Sequence, residues 1–126
     1  MITGKVNRGG DAVIQLRVQG PEGPPHEITA IVDTGFNGWL TLPKDLITSL
    51  RLPFRGSGRA TLADGREILF DTFEGTVFWD GRPRQVSIQA SDSDPLVGMG
   101  LLYGYALNIH VVEGGDVVIR NLSGEA

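Results

Sequence analysis

An all-β fold is predicted by three features of the sequence. Apolar and polar residues alternate at a period of two. Eighteen glycines and seven prolines are scattered along the chain rather than clustered. Asp-Gly and Gly-Gly pairs recur between apolar stretches, where hairpin turns need residues that tolerate positive φ. Gly9-Gly10 opens the series as a turn. Ile14, Leu16 and Val18 then alternate with Gln15, Arg17 and Gln19, the pattern of a strand with one buried face. Gly20 to Pro25 holds three prolines, which lack backbone donors and cannot continue a strand. A second strand is predicted over Ile28 to Val32, apolar enough to be covered on both sides.

A short strand, Trp39 to Leu42, follows the loop after Val32. Pro43 suits the first turn of a short helix, with Leu46, Ile47 and Leu50 on one face and Pro53 as its stop. Asp64-Gly65 and Asp80-Gly81 read as two-residue hairpin turns. Ile68 to Asp71 and Thr76 to Trp79 lead toward the second turn; Val86, Ile88 and Ala90 alternate after it. Ser91 to Asp94 is a polar connector, and Pro95-Leu96-Val97-Gly98 re-enters the core. Leu101-Leu102 is the only other helical stretch. Leu107 to Val112, a Gly114-Gly115 turn and Val117 to Arg120 close the chain as a hairpin.

With 126 residues and no separating linker, residues 1–126 read as a single domain large enough to bury one core. The chain has no cysteine, which excludes disulfides, thiolate metal sites and thiol nucleophiles and suits a cytoplasmic protein. Eleven basic against fifteen acidic residues give a net charge of −4, an argument against a nucleic-acid surface. The first fifteen residues lack the apolar run of a signal peptide. No stretch approaches the roughly 18 apolar residues of a membrane span, so no membrane partner is expected. His26 and His110 are far apart with no third ligand beside them, and no metal or cofactor is expected.

Asp33 is the leading chemical candidate. It directly follows the second strand, where an unshared charge is costly unless hydrogen bonds or a partner hold it. Gly35 lets the backbone approach that carboxylate, and Thr34 supplies a hydroxyl that can hold a neighbouring loop.

The string Ala30-Ile31-Val32-Asp33-Thr34-Gly35-Phe36 resembles the active-site loop of retropepsin-like aspartic proteases, in which two apolar residues precede Asp-Thr/Ser-Gly. Leu96-Val97-Gly98 resembles the second motif of that family, which packs against the catalytic strand and leads into a short helix. The closing segments resemble the hairpin of the retropepsin-like domains in DNA-damage-inducible proteins. The resemblance runs from about Val13 to Ile119. It implies a closed β-barrel of the acid-protease-half type with one or two short helices.

It also implies roles. Asp33, Thr34 and Gly35 would form the catalytic loop, with Thr34 making a hydroxyl contact across two subunits. Phe36 and Asn37 would line the substrate site, Asn37 gripping substrate backbone. Ala63, Asp64 and Gly65 would lie in a flap over a bound peptide. Two positions depart from the family: Phe36 is bulky where a small residue is usual, and Gly100 stands where Asp or Asn commonly braces the dimer or helix.

Aspartic-protease chemistry needs two carboxyl groups sharing one proton around one water, because like charges at ~3 Å cannot both ionise. A chain with one Asp-Thr-Gly must obtain the second from another copy. The expected protein is therefore a homodimeric endopeptidase acting on peptide or protein substrates, its subunits joined through the hairpin Leu107 to Arg120. The alternative is a retropepsin-like domain that has become a peptide-binding or dimerisation module, with Phe36 filling the cleft.

Overall fold

The computed structural model describes residues 1–124. They form ten strands and two short helices: β1 (Ile2–Val6), β2 (Ala12–Gln19), β3 (His26–Val32), β4 (Leu40–Pro43), α1 (Lys44–Ser49), β5 (Phe54–Thr61), β6 (Glu67–Trp79), β7 (Arg82–Ser91), β8 (Leu96–Val97), α2 (Met99–Leu102), β9 (Tyr105–Ile109) and β10 (Asp116–Asn121). The all-β expectation holds.

All ten strands join one hydrogen-bonded sheet, in the order β5-β6-β7-β4-β8-β3-β2-β1-β10-β9, and β6 also pairs with β2. That extra ladder, Arg17 to Gln19 against Thr76 to Phe78, makes the pairings β2-β3-β8-β4-β7-β6 return to β2. Each strand of this circuit sends fully or nearly fully buried side chains into one core: Ile14, Leu16 and Val18; Ile28 and Ala30; Leu40 and Leu42; Val97; Val86 and Ile88; Val77 and Trp79. Complete burial of each such aliphatic side chain contributes about 1.5–3 kcal/mol. Strand β2 shows why the period-two pattern was legible: Ala12, Ile14, Leu16 and Val18 point inward, and Gln15 and Arg17 are exposed.

Strand β3 is covered on one face only. Thr29 lies exposed between buried Ile28 and Ala30, and its hydroxyl donates to Gln15 Oε1 (3.0 Å), while Ile31 and Val32 are half-buried. The apolar run reflects a second face that is sparsely covered rather than enclosed. Strand β1 had no signal in the sequence. It is held by its neighbours, antiparallel to both β2 and β10, so ladder pairing rather than intrinsic propensity makes it a strand.

The first stretch of the closing hairpin ends at Ile109. Val112 N–H donates to His110 O (2.8 Å) and Gly115 N–H to Val112 O (2.8 Å), so the chain is already turning, and Val111 and Val112 are exposed. Gly114 N–H donates to Val6 O (2.9 Å), which fastens that turn to β1.

The Asp80-Gly81 turn is the expected two-residue connection, with Trp79 opposite Arg82. The other differs: Leu62 N–H donates to Arg66 O (2.7 Å), so Ala63-Asp64-Gly65 form a three-residue loop. Asp64 keeps a negative φ, and Gly65, at φ 86°, supplies the left-handed residue such a loop requires. Strand β6 runs unbroken from Glu67 to Trp79, joining two stretches that the sequence separated.

Pro43 ends β4 and caps α1 instead of entering its first turn. Helix α1 stops in a Schellman arrangement: Arg51 N–H donates to Thr48 O (3.0 Å) and Leu52 N–H to Ile47 O (3.2 Å). Arg51 occupies the left-handed position at φ 55°, where glycine is usual. No helix among the described residues is long and apolar enough to cross a membrane.

Candidate active site

Strand β8 is inserted between β3 and β4, the two strands that the Asp33 loop connects. It runs parallel to β3 (Ile31 with Leu96, Val32 with Val97) and antiparallel to β4 at Leu40 and Val97. The loop from Asp33 to Trp39 must therefore pass around the end of β8, and main-chain hydrogen bonds lace the two together. Asp33 N–H donates to Val97 O (2.8 Å), Gly98 N–H to Trp39 O (3.0 Å), Met99 N–H to Phe36 O (2.8 Å) and Gly100 N–H to Gly38 O (2.9 Å).

This lacing needs glycine. A Cβ on Gly98 would stand 2.3 Å from Gly38 O and 2.6 Å from Phe36 Cδ2. One on Gly100 would stand 2.9 Å from Gly38 O and 3.0 Å from Trp39 Cδ2. Gly100 lacks the side-chain brace usual at its position, but its main chain makes a brace of another kind, close enough that a side chain would crowd it. The Phe36 ring lies over the same glycines, since a Cβ on Gly38 would meet Phe36 Cζ at 2.5 Å. Phe36 is thus half-buried as part of the loop's own packing.

Asp33 is half-buried at the end of β3. Gly35 N–H donates to its Oδ1 (2.9 Å), which fixes the carboxylate. Among the described residues, no side chain bonds to the Asp33 carboxylate, and the Thr34 hydroxyl and Asn37 amide have no hydrogen-bond partner. Both residues are exposed beside it. A held carboxylate with a free oxygen, flanked by free polar groups on open surface, can accept a proton from a water. Among the described residues, no second carboxyl group is hydrogen-bonded to it to return one.

The structure brings Asp33, Thr34, Gly35, Phe36 and Asn37 together in this loop. Ala63, Asp64 and Gly65 sit elsewhere, at the tip of the β5–β6 hairpin, where Asp64 accepts from Arg66 N–H (3.0 Å) and Nε (2.6 Å). No hydrogen bond or ion pair joins that tip to the Asp33 loop among the described residues. From Phe54 through Glu74 no residue is buried, and beyond Thr72, where β7 stops pairing with β6, the hairpin projects as a two-stranded ribbon.

Two further residues belong to the Asp33 corner. Met99 bonds the loop through its amide and leaves its side chain partly exposed. Arg84 on β7 places its guanidinium 5.2 Å from the Trp39 ring centroid, a cation–π contact that backs the loop. The Met-Gly pair following Gly98 could have flagged the first. Nothing local to Arg84 signals the second, which arises only from the sheet order.

A cleft of about 500 Å³, lined in part by Arg17, Glu27, Phe78 and Asp80, includes none of the Asp33 loop. No family model matches the chain, and no curated protein matches it.

Proposed function

We propose that the chain is one half of a homodimeric aspartic endopeptidase of the retropepsin type. The observation that carries this reading is the seating of Asp33: Leu96-Val97-Gly98 runs beside the strand that ends in Asp33-Thr34-Gly35, and its carbonyl and amides fix that loop. That is the packing the resemblance implied for its second motif. The closed circuit of pairings supports the barrel of an acid-protease half.

In the assembled enzyme two Asp33 carboxyl groups, one from each copy, share a proton around one water. The ionised member takes a proton from the water as it attacks the peptide carbonyl, and the protonated member donates to the carbonyl oxygen. Gly35 N–H holds one oxygen of each carboxylate. The free Thr34 hydroxyl is available to the partner's loop, and Asn37 to substrate backbone. The β5–β6 ribbon, with Ala63-Asp64-Gly65 at its tip, closes over the peptide as a flap.

The dimer contact expected at the hairpin Leu107 to Arg120 becomes more specific. Strand β10 is already paired on both edges, by β1 and β9, which leaves β9 as the open edge at that end of the sheet. Phe36 packs against Gly38 of its own loop and against Gly98, and the alternative of a peptide-binding or dimerisation module is the reading that an inactive wild type would favour.

The test is a peptide-library cleavage screen from acidic to neutral pH with wild type and Asp33→Asn. The expected outcome is cleavage by wild type and none by the variant, with an unchanged fold. Equal cleavage by the two proteins would remove Asp33 from the mechanism.

A further inference from the structure

The geometry points to a second ligand site, in the pocket between α1 and the root of the β5–β6 ribbon, that takes a small amphipathic carboxylate. The pocket has a volume of about 290 Å³, just below the usual range for small-molecule sites and so suited to a small ligand. Its floor is apolar: Ile47 and Leu52 are buried, and Phe73 and Ala90 pack half-buried against the same core. Phe73 also meets Phe54 edge-to-face at 5.7 Å, so the floor includes the aromatic pair on which the ribbon is rooted.

The rim supplies the charge. Lys44 and Arg51 flank the pocket at the two ends of α1, and Thr48 lies between them. Lys44 has no ion-pair partner among the described residues, and the Thr48 hydroxyl has no hydrogen-bond partner. Arg51 has only a long contact with Glu22, 3.9 Å, between two well-exposed side chains. The one rim anion, Asp71, already accepts from the Ser57 hydroxyl. Two underused cations and a hydroxyl above an apolar floor match a ligand with an anionic head and a hydrocarbon or aryl body.

Arg51 adds a separate argument. It holds the left-handed position that ends α1, where glycine would be unstrained. The chain instead keeps a guanidinium at the pocket mouth.

Octanoate, octanol and octylamine share one apolar body and differ in head charge, so titrating each into the protein while following backbone amide resonances tests the site. The expected result is saturable shifts at Ile47, Thr48, Leu52, Phe73 and Ala90, with octanoate bound about tenfold more tightly than octanol and octylamine weakest. Lys44→Gln combined with Arg51→Gln should weaken octanoate about tenfold and leave octanol unchanged. Both side chains are exposed, so this variant keeps the fold. Equal binding of octanoate and octanol, shifts spread to Leu69 and Tyr103, absence of saturation, or a double variant that binds octanoate unchanged would each overturn the proposal. The readout involves no cleavage, so its failure is distinct from failure of the Asp33 reading.

Discussion

The Asp33 corner and the β5–β6 ribbon are both built from hairpin-like turns and glycine, yet they are held in opposite ways. Around Asp33, a loop of seven residues is tied by main-chain bonds to β8 and α2, with buried Leu40, Val97 and Leu101 immediately behind it. The ribbon carries two strands in unbroken register from Gly56 to Thr72, beyond a bulge at its Phe54 root, but it buries nothing over its whole outer length. A two-stranded ribbon without a covered face is only marginally stable by itself. The difference separates two tasks: one corner holds a carboxylate through laced main chain, and the other has little packing to hold it in place. In the proposed enzyme these are the catalytic loop and the flap.

The strongest test of that contrast is a matched pair of glycines. A Cβ on Gly98 would lie 2.3 Å from Gly38 O, and one on Gly58 in the ribbon 2.4 Å from Phe70 Cζ. The overlaps are almost equal, but the obstacle at Gly98 is backbone within a laced loop, and at Gly58 it is the far end of a half-buried ring. Gly98→Ala should cost about 3 kcal/mol by urea unfolding, the upper range for overpacking. Gly58→Ala should change stability by less than about 1 kcal/mol, because Phe70 can swing aside and the unfolded chain loses freedom. Similar losses at the two sites would mean that the ribbon is as rigidly packed as the Asp33 corner.

Amide exchange sharpens the same comparison without substitution. The amides of Asp33, Gly98, Met99 and Gly100, all donors in the lacing, should exchange slowly. Those from Leu62 to Glu67 should exchange fastest among the hydrogen-bonded or turn residues described, and slow when a peptide-like aspartic-protease inhibitor is added. High protection of Leu62 to Glu67 in the free protein would contradict a flap.

The sequence was most readable where burial and local chemistry agree. Ile14, Leu16 and Val18 alternate because one face of β2 is in the core, and Asp80-Gly81 is a turn because those residues adopt it without tertiary help. Asp33 was legible for a similar reason, since an aspartate at the end of an apolar strand needs an explanation. What could not be read was set by distant partners. β1 is a strand only because β2 and β10 flank it. The ring closure rests on three residue pairs between β2 and β6. The inward seating of Phe36 depends on glycines at 38 and 98, sixty residues apart in sequence, and the cation above Trp39 comes from β7. The pocket under α1 likewise joins a helix to strands encountered twenty to forty residues later.

At the root of the ribbon, strain replaces looseness, and a smaller effect is expected there. Arg51 is held at φ 55°, which costs an L-residue about 1–2 kcal/mol relative to glycine. Part of that is offset by the greater entropy a glycine loses on folding. Arg51→Gly should therefore stabilise the protein by about 0.5–1 kcal/mol, and the exposed contact with Glu22 that it removes contributes almost nothing. The same substitution should weaken octanoate binding at the α1 pocket. A gain in stability with undiminished binding would show that the strained arginine serves no ligand; a loss of stability would show that its side chain packs more than its exposure indicates.

The β9–β10 hairpin is the counter-example to the ribbon, and the smallest effect comes from its surface. It too is two strands and a glycine turn, but β1 covers its inner edge and Val117 and Ile119 are wholly buried. On the outer face, Lys5 Nζ donates to Asp116 Oδ1 at 2.6 Å, across directly paired positions of β1 and β10. The hydrogen bond from Lys5, and after it the Lys5 charge, hold the Asp116 carboxyl below the usual carboxylate range. Because the folded chain lowers this value, the pair stabilises the fold above about pH 4, where the unfolded aspartate is also ionised. That stabilisation disappears as pH falls through the lowered value. Both groups are exposed, so salt screens the pair and its contribution is small. Lys5→Met should leave unfolding at neutral pH almost unchanged in 0.5 M salt. In low salt it should remove a slight stabilisation near neutral pH, and the difference should shrink as the pH is lowered through the carboxylate range. A large loss at neutral pH that survives high salt would mean that the Lys5 stem, rather than its charge, helps hold β1 against β10, and the hairpin would then owe its firmness to that strip of surface as well as to the core.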